Sequence, residues 1–207
     1  MQPRLFSAIL LAAATLCHAQ QPPAGRWDGT LNWGTLKVPF RIDFEGDADH
    51  IKASWVNADH QTSSSSGKFS DGKLLLTFNE ANLDATLADG QLKGQVKTPA
   101  YGTLPFTASP YCSCGYEGEA GPDISGIWET PIGQIEIKRK GEDTFLTTGD
   151  LGPLSGRFDG AVFTLHYFNG TRPALLEIEQ NKTGGLDLLW MEPGGRASKK
   201  LKAKPKL

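Results

Sequence analysis

The feature that most constrains this chain is that much of it is written twice. Gly25-Arg26-Trp27 opens one unit and Gly126-Ile127-Trp128 opens another; inside them "SGKFSDGKLLLTFN" (66–79) matches "SGRFDGAVFTLHYFN" (155–169). Each stretch has Ser-Gly-basic-Phe, then Asp-Gly, then an apolar run ending in Phe-Asn. Both units close on a short alternating segment, "TLPFTAS" in the first and "KKLKAK" in the second. The tryptophans lie further apart than the Ser-Gly pairs, so the second copy has shorter early loops. This predicts two similar units, 25–109 and 124–204, joined by a linker over 110–123. Trp27, Trp128, Gly67 and Gly156 are the expected structural residues.

Within each unit, short runs of β-branched and aromatic residues are broken by turn residues about every ten positions, the pattern of an all-β sandwich or barrel. Asp71-Gly72, Asp89-Gly90 and Asp159-Gly160 supply the left-handed residues that tight hairpins need. In "KVPFRIDF", Val38, Phe40, Ile42 and Phe44 share one face, and Lys37, Pro39, Arg41 and Asp43 the other, as in an antiparallel strand buried on one side. "QTSSSSG" (61–67) reads as a polar loop or edge strand. No stretch sustains a helical period. Eight runs per unit predict two tandem eight-stranded antiparallel meander barrels born of internal duplication, closure removing the edges that consecutive hairpins otherwise leave.

The first residues, "MQPRLFSAILLAAATLCHA", combine a basic start, an apolar run and a small residue at Ala19, which predicts a signal peptide over 1–19. The apolar run is too short to span a bilayer and no second one follows. Export to the periplasm or outside the cell is expected, in an oxidising compartment. Of the three cysteines, Cys17 would leave with the signal.

The formal net charge of −2 conceals an acidic body and a basic end: "RASKKLKAKPKL" carries six basic residues and no acid. Lysines alternating with Leu201 and Ala203 fit the solvated face of a last strand, where they also discourage edge pairing. Without interleaved aromatics they do not indicate nucleic acid. No nucleophile elbow, His-Glu-x-x-His or phosphate-cradling Gly-Lys-Ser/Thr occurs. The acidic run Glu45-Gly46-Asp47-Ala48-Asp49-His50 lacks the ligand spacing of a calcium loop and reads as a solvated turn.

Eight hairpin-linked strands opened by Gly-x-Trp resemble the lipocalin and avidin barrels, a calycin-like architecture in which the first-strand tryptophan plugs one barrel end. A second likeness is carried by "GDLGPLSGRFDGAVFTLHYFNGTRPALLEIEQNKTGGLDLLW" (149–190). It resembles the β-rich region that precedes the thioredoxin domain in some secreted TlpA-like thiol-disulfide oxidoreductases. The first unit is similar to that region more loosely. No Cys-x-x-Cys occurs in the chain, so that family's catalytic pair has no position here, and what the likeness implies is an accessory module that meets a thioredoxin-like protein.

Two groups of candidate site residues follow. Cys112 and Cys114 lie one residue apart in the linker. Three readings stand for them: a strained, readily exchanged disulfide; a soft-metal site made with further ligands; or incidental oxidation in a loop. Glu117, Glu119 and Asp123 nearby would raise a thiol pKa and so work against a reactive thiolate. His166, Asn169 and Arg172 flank an Asn-Gly turn in "HYFNGTRP" and are the expected ligand-binding residues. The reading they support is an exported non-enzymatic binding or accessory protein for a small apolar or anionic ligand, or for a protein partner. The alternative is a thiol-redox accessory acting through Cys112 and Cys114 with a thioredoxin-like partner. No catalytic residue, metal, cofactor, nucleic acid or transmembrane segment is expected.

Overall fold

The computed structural model describes residues 20–112, 121–140, 144–149, 153–191 and 199–206. Every regular element among them is a strand. The first unit contains β1 (Gly25–Trp33), β2 (Leu36–Glu45), β3 (Lys52–Asn57), β4 (His60–Ser63), β5 (Ser66–Ser70), β6 (Lys73–Thr77), β7 (Asn82–Ala88), β8 (Gln91–Thr98) and β9 (Gly102–Pro110). The second contains β10 (Gly126–Thr130), β11 (Gly133–Lys140), β12 (Thr144–Gly149), β13 (Leu154–Phe158), β14 (Phe163–Phe168), β15 (Pro173–Gln180), β16 (Leu186–Met191) and β17 (Lys199–Pro205). No helix among the described residues is long and apolar enough to cross a membrane. The expected signal peptide, 1–19, lies outside them, as does Cys114.

The second unit is a closed eight-stranded antiparallel barrel in chain order, β10 to β17. Its last strand returns to its first with Trp128 opposite Pro205. Inward residues of successive strands, among them Trp128, Ile135, Phe145, Leu165, Leu176 and Leu188, fill the interior. Phe145 and Phe163 meet edge to face at 4.3 Å. Trp128 Nε1 donates to the Ile124 carbonyl at 3.0 Å, so the buried indole is satisfied at the barrel end.

The first unit repeats this plan up to one point. Its last strand also returns to its first, with Trp27 opposite Pro110, and Trp27 Nε1 donates to the Ala24 carbonyl at 3.2 Å. It has nine strands, however, in the order β4-β3-β2-β1-β9-β8-β7-β6-β5, and they form a curled sheet around one core. The eight-stranded closed barrel expected for 25–109 is therefore corrected. In the second unit β12 pairs directly with β13. In the first, β4 folds back on β3 and takes the matching edge, from Ser54↔Ser63 to Asn57↔His60. Its turn is Ala58-Asp59, with Ala58 at φ 55°. A left-handed alanine is uncommon, and with no glycine the turn carries only the weaker signals of Asn57 and Asp59. The strand β5 then approaches β3 without a ladder, and Phe69 N–H donates at 2.8 Å to the carbonyl of Ala48 in the β2–β3 connection.

The second unit packs into the first at β2 and β3. Phe168 belongs to β14 but is buried in the first unit's core, its ring 4.6 Å from that of Trp55 and 6.3 Å from that of Phe40. Burying such a ring stabilises by about 1.5–3 kcal/mol. Asn57, at the end of β3, grips the same residue: its Nδ2 donates to the Phe168 carbonyl and its Oδ1 accepts the Phe168 N–H, both at 2.7 Å. The side-chain amide thus does for a buried peptide group what a neighbouring strand would do. Gly170 follows at φ 94°, and a Cβ there would lie 2.9 Å from Trp55 Nε1.

Candidate functional site

Docking at Phe168 opens a cleft of about 700 Å³ between the units. One wall is the outer face of β1 and β2. Arg26 and Asp28 on β1 stand opposite Asp43 and Arg41 on β2, because antiparallel pairing matches 26 with 43 and 28 with 41. The result is a two-by-two chequerboard of charge. Arg26 binds Asp43 through Nε at 2.8 Å and Nη2 at 2.9 Å; Arg41 binds Asp28 through the same atoms at 2.7 and 2.9 Å. The carboxylate of Asp43 holds the Arg26 pKa above its ordinary value through that hydrogen bond.

Tyr111 extends β9 past its last residue, its N–H donating to the Arg26 carbonyl at 2.8 Å. Its ring lies 4.8 Å from the Arg41 guanidinium carbon and 5.7 Å from that of Arg157, cation–π distances. Arg157 Nη2 also reaches the Tyr111 hydroxyl at 3.4 Å. Arg157, on β13, belongs to the opposite wall with Ser155, Thr164 and His166. One tyrosine therefore joins guanidinium groups from both units.

His166 lies half-buried on that wall. Its Nδ1 is shut off from solvent and has no hydrogen-bond partner. Burial lowers its pKa to about 4, with the positive charges of Arg41 and Arg157 acting in the same direction and Asp28 opposing them. The imidazole is neutral at pH 7. Ser155 stands opposite His166 across the β13–β14 ladder, yet its Oγ accepts the Ala58 N–H at 3.3 Å. With the serine turned to the backbone and His166 Nδ1 unpartnered, the pair lacks the hydrogen bond that a nucleophile and its base need. At the rim, Asp159 Oδ1 accepts the Ala161 and Val162 N–H groups at 2.9 Å, which hold its carboxyl below the usual range.

Of the residues expected from sequence to bind a ligand, His166 lines the cleft, whereas Asn169 and Arg172 are not among its lining residues. Asn169 Oδ1 accepts from Thr171 N, Thr171 Oγ1 and Arg172 N at 2.9–3.1 Å, so this side chain builds the turn. Arg172 is exposed. Trp27 and Trp128 are buried. Gly67 and Gly156 occupy matching places, opposite Leu76 and Leu165. A Cβ at Gly67 would collide with the Ile51 carbonyl, and one at Gly156 with the Thr164 carbonyl. Cys112 is exposed and disulfide-bonded, and directly follows Tyr111. Among the described residues, no three His, Cys, Asp or Glu side chains gather as a metal site. The acidic run is a turn in which Asp47 Oδ1 accepts the Asp49 and His50 N–H groups.

Sequence reading missed Arg26, Arg41, Tyr111 and Arg157. A signal was present for the first two: Arg-x-Asp occurs in two neighbouring strands, and antiparallel pairing sets those charges against each other. No known family model matches the chain, and no curated protein matches it significantly.

Proposed function

We propose that this is an exported, non-enzymatic binding module, two barrels of common descent with the first parted at one seam, whose small ligand sits between the units. The observation that carries this reading is where space and chemistry coincide. Aromatic and aliphatic side chains pack the two interiors. The cleft between them brings Arg26, Arg41, Tyr111, Arg157 and the unsatisfied His166 around one volume, of the size that holds a small ligand. Small barrels filled by their own side chains leave recognition to rims and junctions.

Native mass spectrometry of protein purified from its own envelope tests this. A bound species is expected on the wild type and lost from Thr164→Trp, which fills the cleft from β14. An empty wild type, or a bound species unchanged by Thr164→Trp, would overturn it.

The thiol-redox reading rests on a separate observation: the disulfide at Cys112 is exposed and directly follows a cleft residue. The TlpA-like resemblance supports a thioredoxin-like partner for it. The thiolate of a reduced thioredoxin-like partner should then attack the wild-type bridge, forming a mixed disulfide and releasing one thiolate here, a complex that persists when the partner lacks its second cysteine, whereas a bridge inert to reduced thioredoxin removes this reading.

A further inference from the structure

Arg26 and Arg41 each keep one guanidinium edge unspent beside the cleft, and we infer that the ligand carries an oxyanion, a carboxylate or a phosphate, received by these two arginines with hydroxyl donors of the facing wall. This rests on the cleft being the ligand site. Both arginines line it. A guanidinium has five N–H donors in a planar fork and no acceptor. Arg26 and Arg41 each spend only Nε and one Nη2 hydrogen on their aspartates. The Nη1 edge of each remains for a second planar acceptor, and its carboxylate partner fixes the fork in place.

The acids of the cleft are differently committed. Asp28 has both oxygens on Arg41. Asp159 has Oδ1 taken by two backbone N–H groups, and Asp59 has contacts of its own. A cationic ligand would have to compete with the Arg41 fork for Asp28 and with two backbone N–H groups for Asp159 Oδ1. An oxyanion displaces nothing, because it adds to donors the walls have left over. Charge-assisted bonds of this kind are about twice as strong as neutral ones.

The second wall adds polar groups of its own. His166 Nδ1 is enclosed and unpartnered, and a buried polar atom in that state carries a desolvation cost. Its ring faces the same volume as the arginines. Thr164, also on this wall, adds a hydroxyl donor. Tyr111, packed against Arg41, lends an aromatic surface on which the organic part of a ligand can rest.

Titration of the full chain with benzoate and with phenyl phosphate, each against uncharged benzamide, tests the inference by NMR of the arginine Nε–H groups. Either oxyanion is expected to shift the Arg26 and Arg41 signals with an affinity about tenfold above that of benzamide; the tighter of the two names the class. In the double variant Asp28→Asn, Arg41→Gln, which removes a charge together with its partner, that advantage should shrink about tenfold while benzamide is unaffected. Should this variant not fold, Arg26→Lys keeps the charge but loses the fork, and a severalfold weakening is expected. Equal binding of benzoate and benzamide in the cleft overturns the oxyanion inference and leaves the cleft reading standing. Shifts confined to residues outside the cleft, or none at all, overturn the inference too. If native mass spectrometry also finds no bound species, the cleft reading fails with it.

Discussion

The hairpins β5–β6 and β13–β14 share a sequence cue and a register, and the Phe-Asn phenylalanine of each enters the first core, one within its own unit and the other by leaving it. Ser66 faces Thr77 as Ser155 faces His166, and Phe69 faces Leu74 as Phe158 faces Phe163. Along β6 the alternation continues without a break: Leu74, Leu76 and Phe78 all enter the first core. Along β14 the inward residues are Phe163, Leu165 and Tyr167, and one additional residue precedes the Phe-Asn pair. Phe168 is therefore out of phase and leaves its own barrel for the core of the first unit's curled sheet. Because strand side chains alternate, a slip of one residue changes the face. The comparison teaches that two hairpins of like sequence and register can differ by one out-of-phase position, and that this position supplies the ring by which one unit packs into the other.

The largest test of this contrast is Phe168→Ala. It should cost about 3–5 kcal/mol, as for other buried aromatic deletions, and the loss should appear in the other unit. Urea denaturation read by hydrogen exchange is expected to show β3 and β6 losing protection while β15 and β16 keep theirs. Loss confined to the second unit would break the comparison.

His166 provides the next. Its counterpart in the first unit, Thr77, is exposed and donates to Asn82, so only the second unit holds an imidazole at this place. A histidine with a folded pKa of about 4 against an ordinary 6.5 resists the proton that the unfolded chain accepts. Stability is therefore lost as pH falls from about 6.5 to about 4, up to roughly 3 kcal/mol. Below that window the group adds no further change, and carboxylates such as Asp159, with pKa lowered from 3.8, come into play. His166→Thr, which installs the first unit's residue, should flatten this part of the stability profile. An unchanged slope would show that the burial does not act as described.

The smallest effect sharpens the contrast at the glycines. Gly67→Ala and Gly156→Ala should each cost about 1–3 kcal/mol by overpacking, but through different obstacles. In the first unit the Ile51 carbonyl just ahead of β3 is in the way, so the new methyl widens the seam. In the second it is Thr164 within the same hairpin. Exchange at the Phe168 amide should rise in Gly67→Ala alone; an equal rise in both would remove the distinction.

Much of the fold was legible because it is written in local chemistry. Alternation in β2, the Asp-Gly turns and the paired tryptophans all act within one hairpin or between neighbours. The hairpin that adds β4 was not, since Ala58-Asp59 carries no glycine and the polar β4 reads equally as loop. Of the site, His166 could be named but not its neighbours. Arg26 and Tyr111 meet through the long-range pairing of β1 with β9, and only the docking of one unit on the other brings Arg157 to them. The cue for that docking was a single phenylalanine whose phase has meaning only once the strand register is known.

The Asn57 carboxamide, bonded to both polar atoms of the Phe168 backbone, has one more consequence. Recognition between the halves is encoded in a knob, a socket and a mimic of a peptide group, and none of these depends on the polypeptide that connects them. The connection raises the concentration of one half around the other but does not supply the specificity. In that sense the molecule is a self-complementing pair, closer to a lock delivered with its key than to beads on a string.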